Sequence, residues 1–338
     1  MSTTLAAKLN HSPGTWVVNS NEPLEKVLPL DVSMASQSLS SNIFGSFTHQ
    51  GGDIMPNPKL YNIFLGQYKS SVITQLNAFT IDLVKSSIAD VLKQYGFVSG
   101  SVIGSAILET KVNNVSYRIL NEPILQLIIQ EAIDKQKIPA PAKDILYMIY
   151  LSDEISFDDP DLDVRCCGSN NNTAFGFHHY FKAKSGEPVI YAITPSLSDN
   201  CIANTCTSSP SCAMSTTKQT QLERITQVAS HEFAEAVTNP TGGGWYDTKS
   251  GEEIADVCNG GSAKVTVGNN TWNMQTEYSL TDDKNTSGRL SCVSNTVSTT
   301  PLEFAQRLTN DELLKILFAA GAIMFISGLI YTLNTKQA

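Results

Sequence analysis

The sequence predicts one mixed domain of the α/β or α+β class, which occupies residues 46–297 of the 338-residue chain. Apolar runs of strand length alternate with segments of helical periodicity through the first half of this region. Short alternating runs separated by turn residues follow in the second half, and no internal repeat occurs. Strands that alternate with helices favour a sheet covered by helices, and the later hairpins add an antiparallel part. A region of this length can bury a substantial core.

The first predicted elements are a buried strand and a long helix. KLYNIFLG (59–66) is an apolar run that ends in glycine, which is typical of a buried strand. Ser70 or Ser71 can cap the helix that follows, and apolar residues recur at helical spacing until Gly96. SVIGSAILE and NVSYRIL then have the composition of strands.

A second helix and three more strands are predicted before the chain reaches its most unusual motif. Asn121 and Pro123 begin the helix, which continues to about Lys135. DILYMIYL (144–151) is typical of a buried strand, and AFGFHHYF and PVIYAITP alternate well enough to be paired strands. The next helix is predicted from about Thr217 to Val237, and short strands (AKVTV, TWNM) follow it.

The two ends of the chain differ from the domain between them. Residues 1–45 are polar and rich in serine, which indicates an extended arm, and they contain no apolar run of signal-peptide length. Residues 298–312 read as a linker, and 334–338 as a short tail. Residues 313–333 are apolar on every face except at Lys315, and a membrane-spanning helix needs about 20 such residues. We therefore expect a single-pass C-terminal membrane anchor rather than a buried terminal helix.

Charge and cysteine content restrict the class of protein. The net charge is -9 with a pI near 5.1 and without a Lys/Arg cluster, which excludes nucleic acid as a partner.

The cysteines lie in polar loops and form no C-x-x-C motif, which favours disulfides, and their odd number leaves at least one unpaired. They are Cys166, Cys167, Cys201, Cys206, Cys212, Cys258 and Cys292. Glycosylation sequons, relevant if the domain faces the exterior, occur at Asn10, Asn114, Asn171, Asn269 and Asn285.

The segment VASHEFAEAVTNP carries the pattern H-E-x-x-E, one residue different from the zinc-peptidase pattern H-E-x-x-H. His231 and Glu235 lie four residues apart and share one face of a helix, so both can reach one ion. Glu232 points about 100° away, where a carboxylate can act as the general base on water. Zinc binds carboxylate oxygen as well as imidazole nitrogen, so glutamate is chemically acceptable at the second position.

A third metal ligand must come from another segment. The acidic segment WYDTKSGEEIADVC offers Glu253 and Asp256, with Asp247 less favoured. His178 and His179, in GFHHYF, are more remote candidates, and only one of them can point inward from a strand. A zinc ion with one imidazole and two carboxylates is formally neutral and acidifies water less than a histidine-rich site. These residues therefore predict either a slow hydrolase or a metal that only braces the loops.

A simpler alternative requires no metal. His231 and Glu235 would then form an ordinary i, i+4 pair worth a few tenths of a kcal/mol. The acidic segment beyond the glycine-rich turn favours metal binding over this alternative.

Three motifs together, HEFAEAVTNP, GWYD and EEIADVC, resemble the EXORDIUM-like (phosphate-induced) family of plant cell-wall proteins. LYNIFLGQY and CCGS with GFHHYF fit the same family, so the resemblance covers roughly residues 48–292. It implies an extracellular, zincin-like domain with a mixed sheet and an active-site-type helix. The matching motif positions are His231, Glu232, Glu235, Glu253 and Asp256.

Two departures from that family bear on location. The absent signal peptide and the C-terminal membrane helix do not suit a plant cell wall. They suit the virion membrane of a large DNA virus that makes its own disulfides, or another membrane with the domain facing outward.

Two functional hypotheses follow. In the first, the protein is a membrane-anchored zinc hydrolase that cleaves peptides or proteins, with His231, Glu235 and one of Glu253 or Asp256 as ligands and Glu232 as the base. In the second, it is a structural or interaction protein displayed on a membrane, in which a metal braces an inert domain.

Overall fold

The computed structural model describes residues 47–161, 164–166, 173–205, 219–281 and 292–295. The predicted N-terminal arm, the linker, the membrane helix and the tail lie outside these residues. Within the described ranges, no helix is both long enough and apolar enough to span a bilayer.

The described residues form a mixed α/β structure with several sheets, which agrees with the predicted class. The helices are α1 Ser70–Leu83, α2 Ser87–Leu92, α3 Glu122–Asp134, α4 Asp199–Thr205 and α5 Gln221–Thr238, with 3-10 turns at Lys93–Tyr95 and Asp256–Cys258. The strands are β1 Phe47–His49, β2 Lys59–Leu65, β3 Ser101–Leu108, β4 Lys111–Val112, β5 Val115–Ser116, β6 Ile119–Leu120, β7 Ile145–Leu151, β8 Ser156–Asp159, β9 Val164–Cys166, β10 Thr173–Ala174, β11 Phe177–Lys182, β12 Pro188–Thr194, β13 Trp245–Asp247, β14 Ser262–Val267, β15 Asn270–Gln275, β16 Glu277–Tyr278 and β17 Cys292–Val293.

The largest sheet has five strands in the order β11-β12-β7-β2-β3. Four of them run parallel, and β11 pairs antiparallel with β12 at one edge. Every residue of β7 is buried, as expected for a parallel strand with both faces covered. The sheet therefore has one antiparallel edge, and this edge lies beside α5.

Two apolar cores cover the two faces of this sheet because successive side chains of a strand point to opposite sides. Helices α1, α2 and α5 supply one core, in which Phe64 and Met148 lie with Phe233. Helix α3 supplies the other, in which Tyr147 lies with Ile129. Helix α5 packs against β11 and β12 of this sheet, and it also packs against β15.

Helix α5 begins later than the sequence predicted. Thr220 is its N-cap and forms a capping box with Glu223, in which the Thr220 amide donates to Glu223 Oε2 at 2.7 Å and the Glu223 amide donates to Thr220 Oγ1 at 3.3 Å. The predicted start at Thr217 is therefore wrong, since the cap fixes the first helical residue as Gln221. The helix ends at Thr238, close to the predicted Val237.

The predicted helix from Ser70 to Gly96 is two helices. Ser86 adopts an extended conformation after α1 ends, and its hydroxyl accepts from the Ala89 amide at 3.3 Å, which starts α2. The N-cap of α1 is Lys69, without a side-chain cap, rather than a serine. Gly96 does end the segment, in the left-handed conformation that glycine favours.

Other elements confirm the sequence patterns. The Asn121 side chain caps α3, β11 pairs with β12, and the two short strands after α5 form the β14–β15 hairpin. NVSYRIL forms only two strands of two residues each, β5 and β6. Cys258 and Cys292 form a disulfide, as polar-loop cysteines predicted, and Cys166 is a buried free thiol within the described ranges.

Candidate metal centre

His231 and Glu235 lie one turn apart on α5 and are buried, with 3% and 0% of their surface exposed. His231 Nε2 and Glu235 Oε1 are 3.0 Å apart, yet neither atom has a hydrogen-bond partner among the described residues. The two residues do form an i, i+4 ion pair, but a buried one rather than a pair at the protein surface. Buried charged groups without hydrogen bonds are costly unless a cation or another charge compensates them.

Asp256 approaches the same imidazole from the loop after α5. Its Oδ1 lies 3.7 Å from His231 Nε2. Ligand atoms around a tetrahedral zinc are about 3.3 Å apart, given metal–ligand bonds of about 2.0–2.1 Å. The distances of 3.0 and 3.7 Å bracket this value. Asp256 begins the 3-10 turn that ends at Cys258, and the disulfide to Cys292 joins this turn to β17.

Glu232 is fully buried beside this pair. Neither of its carboxylate oxygens has a hydrogen-bond partner within the described part of the chain, and Oε2 lies 3.9 Å from His178 Nδ1. Burial raises the pKa of Glu232 well above its ordinary value; the His231 charge opposes this shift and the Glu235 carboxylate adds to it. Gly176 makes room for the side chain, since a Cβ atom at that position would lie 2.6 Å from Glu232 Oε1.

His178 enters the site from the antiparallel edge strand β11. Its Nδ1 is 3.4 Å from Glu235 Oε2, and its Nε2 is 3.5 Å from Glu253 Oε2. The adjacent His179 points to the opposite face, where its Nε2 lies 3.4 Å from Glu122 Oε1. The alternation of strand side chains predicted that only one of these histidines faces inward, but it could not tell which one.

Glu253 is buried and held by Asn239, the residue that follows α5. The Asn239 side-chain amide donates to Glu253 Oε1 at 2.6 Å, while Asn239 Oδ1 accepts from the Gly244 amide at 2.6 Å. This carboxylate therefore belongs with His178 rather than with His231. Asp247, the less favoured acid, instead accepts from the Lys249 amide at 2.7 Å and stabilises a turn.

A further acid, Glu277 of β16, lies near the site and is not predicted by any sequence motif. Its surface is fully buried, and neither of its oxygens has a hydrogen-bond partner among the residues that the structure describes. Burial raises the pKa of Glu277 well above its ordinary value, with the His231 charge opposing the shift and the Glu235 carboxylate adding to it. Nothing in the polar segment around Glu277 marks it as buried. It is placed by the pairing of β16 with β17, which carries Cys292.

The charges of the site are strongly coupled. Burial alone would lower the pKa of His231, but the neighbouring carboxylates, Glu235 foremost, raise it well above its ordinary value. Burial would raise the pKa of Glu235, but the His231 charge and the His178 imidazole lower it to about 2. Five acidic groups thus lie with two imidazoles in a buried space, and such a set of ligands could hold a metal ion.

Two groups among the described residues have ligand atoms close enough to hold a metal ion: His231 with Glu232 and Glu235, and His178 with Glu235 and Glu253. Four of the five residues predicted from the sequence therefore fall in these groups, and Asp256 lies against His231. No family model, curated protein or solved structure matches the chain, so the chemistry of these residues is the basis for assigning it a function.

Proposed function

We propose that the protein is a membrane-anchored, zinc-dependent hydrolase that cleaves peptide or protein substrates. The observation that carries the proposal is the group of His231, Glu232 and Glu235, whose ligand atoms lie close enough together to hold a metal ion, with Asp256 Oδ1 3.7 Å from His231 Nε2. One nitrogen and two oxygen donors suit zinc, which accepts histidine and carboxylate ligands in tetrahedral sites with a fourth position left for water.

Zinc bound by these residues would polarise the substrate carbonyl and lower the pKa of water. Glu232 then acts as the general base: it takes a proton from the attacking water as the carbon–oxygen bond forms. It returns that proton to the leaving nitrogen as the carbon–nitrogen bond breaks. Burial raises the pKa of Glu232, so its ionised carboxylate is a stronger proton acceptor than an exposed one.

The ligand set predicts slow turnover. One imidazole and two carboxylates neutralise the charge of a divalent zinc ion, so the ion acidifies water less than one held by several neutral imidazoles. We therefore expect an enzyme with lower turnover than histidine-rich zinc peptidases.

A structural role is the second candidate, and burial favours it. The most exposed side chains next to His231 and Glu235 are His178 and Asp256, at 10% and 11%. A substrate would therefore need the edge of β11 or the Asp256 loop to move. In this alternative the metal only joins β11, α5 and the acidic loop, and Glu232 has no catalytic role.

The remaining parts of the proposal rest on the sequence. The apolar segment 313–333 would anchor the protein, with the domain facing the cell exterior or the outside of a virion. A zincin-like domain of the EXORDIUM-like type is consistent with an H-E-x-x-E helix that packs against a mixed sheet beside an antiparallel edge strand.

The experiment uses the full-length chain in mild detergent, loaded with zinc and assayed against a broad peptide library. Glu232→Gln should abolish chelator-sensitive hydrolysis and leave metal content unchanged, because it removes the base and keeps the ligands. Glu187→Gln, at an exposed glutamate, is the matched control and should retain activity.

Two outcomes would reject parts of the proposal. A wild-type protein that binds zinc and cleaves no peptide would leave only the structural role. Zinc retained by a His231→Ala, Glu235→Ala double variant would remove the proposed site.

A further inference from the structure

We infer that the centre holds two divalent cations bridged by the Glu235 carboxylate, with His178 and Glu253 supplying the second position. This inference rests on the proposed metal site and extends it. It concerns the number of ions and the ligands of the second one, which the H-E-x-x-E motif does not predict.

The two oxygens of Glu235 face different imidazoles. Oε1 lies 3.0 Å from His231 Nε2, and Oε2 lies 3.4 Å from His178 Nδ1. Both oxygens are buried, and neither has a hydrogen-bond partner within the described ranges. A buried carboxylate whose two oxygens face two different imidazoles can offer one oxygen to each of two cations.

The imidazoles themselves do not converge on one point. His231 and His178 fall in different ligand groups of the described residues, and Glu235 is the member that the groups share. Two ligands of a single zinc ion can lie at most about 4.2 Å apart, twice the metal–nitrogen bond. Because the two groups share only Glu235, the described residues offer a separate ligand set on each side of this carboxylate.

The second position has its own supporting contacts. The Asn239 side-chain amide donates a hydrogen bond to Glu253 Oε1 at 2.6 Å and fixes this carboxylate. The other oxygen, Glu253 Oε2, lies 3.5 Å from His178 Nε2. Pairing of His178 with Ala192 in the β11–β12 ladder sets the side of the strand from which its imidazole projects. Such outer contacts orient ligands in metal sites.

The charge of the cluster points the same way. When ionised, its acidic groups carry five negative charges against two neutral imidazoles. Two divalent cations balance more of this charge than one does. The acids are Glu232, Glu235, Glu253, Asp256 and Glu277.

Two ions bridged by a carboxylate would lie about 3.5–4 Å apart, the separation of two-metal hydrolase sites. In such sites one ion stabilises the attacking oxygen, and the other stabilises the carbonyl oxygen or the leaving group. An imidazole with two carboxylates suits Zn²⁺ or Mn²⁺ at the second position.

The test measures metal content of the full-length protein after loading with Zn²⁺ and removal of excess ion. The wild type should hold two ions per chain. His178→Ala and the isosteric Glu253→Gln should each reduce the content to one, while His179→Ala, on the opposite face of the same strand, should keep two. Circular dichroism checks that each variant is folded, and Glu253→Gln serves if His178→Ala is not.

A second readout detects the bridge. With Mn²⁺ in place of zinc, two ions joined by Glu235 couple magnetically, and electron paramagnetic resonance should show that coupling in the wild type and an isolated ion in Glu253→Gln. One ion per chain that His178→Ala leaves unchanged would overturn this inference and keep the proposed zinc site. If the wild type holds one ion and His178→Ala holds none, the inference of two ions is also wrong. A wild type that binds no ion would contradict both this inference and the proposed zinc site.

Discussion

Removal of the metal should lower the stability of the folded domain by several kcal/mol. The ligands come from β11, α5 and the loop at Asp256, and only the fold brings these segments together. The unfolded chain therefore has no equivalent site, and binding to the folded state alone adds stability. Without the ion, Glu232 and Glu235 remain buried, and the side-chain oxygens of both lack hydrogen-bond partners among the described residues.

The magnitude follows from mass action. At a free zinc concentration of 100 times the dissociation constant, one site stabilises the folded state by about 2.7 kcal/mol, and at 1,000 times by about 4.1 kcal/mol. A domain of this size shifts its midpoint by about 2–4 °C per kcal/mol, so chelation should lower the melting temperature by about 5–16 °C. Each tenfold rise in zinc should add about 1.4 kcal/mol per ion once the site is saturated.

Scanning calorimetry of the full-length chain, first treated with chelator and then titrated with zinc, measures this shift. The His231→Ala, Glu235→Ala double variant should melt at one temperature whatever the zinc concentration. A wild type with no zinc-dependent shift would refute the metal site and leave a buried ion-pair cluster. An equal shift of the melting temperature in the double variant would show that zinc stabilises the protein by binding at a different site.

Three further substitutions test how the chain positions the site. Thr220→Ala removes the capping box of α5 and should lower the free energy of unfolding by about 0.5–2 kcal/mol in chemical denaturation. Gly176→Ala places a Cβ atom 2.6 Å from Glu232 Oε1, so it should destabilise the protein by about 1–3 kcal/mol and reduce hydrolysis more than metal content. Cys292→Ala opens a loop spanning 34 residues and should cost about 3.8 kcal/mol by the chain-entropy model, with weaker metal binding because the Asp256 loop is released.

Matched controls separate these effects from general sensitivity to substitution. Thr74 is exposed in the interior of α1, so Thr74→Ala should change stability by less than about 0.5 kcal/mol. Equal losses in Thr74→Ala and Thr220→Ala would contradict the capping argument. Normal hydrolysis in Gly176→Ala would show that Glu232 does not need its present position. Metal affinity unchanged in Cys292→Ala would show that the Asp256 loop holds its place without the disulfide.

The sequence predicts the elements that local patterns determine. The helix with its H-E-x-x-E motif, the β11–β12 hairpin and the acidic loop were all recognisable, since periodicity and turn residues act over short distances. Glu253 and Asp256 were found because acids clustered just beyond a glycine-rich turn have few structural reasons to be there. The break between α1 and α2 was missed because Ser86 lies in an otherwise continuous helical pattern, and a cap inside such a pattern resembles an ordinary polar position.

Long-range pairing determines what the sequence could not predict. His178 enters the site only because β11 is the edge strand beside α5, a position set by the strand order of the whole sheet. Glu277 lies in a polar stretch and is buried by pairing of β16 with a strand that the disulfide holds in place. In both cases the residue type was visible, but its location depended on contacts far apart in the chain.

The unsatisfied atoms distinguish a cation site from a network of ion pairs. His231 Nε2 and Glu235 Oε1 lie 3.0 Å apart, but neither atom has a hydrogen-bond partner of good geometry among the described residues. Two ligands of one ion approach each other to this distance because both direct lone pairs at the ion. Buried charges left without hydrogen bonds cost several kcal/mol each, and the cluster contains more acids than imidazoles. Protons can neutralise Glu232 and Glu277, whose pKa values burial raises, whereas a divalent cation would neutralise ionised ligands and bind the unpartnered atoms.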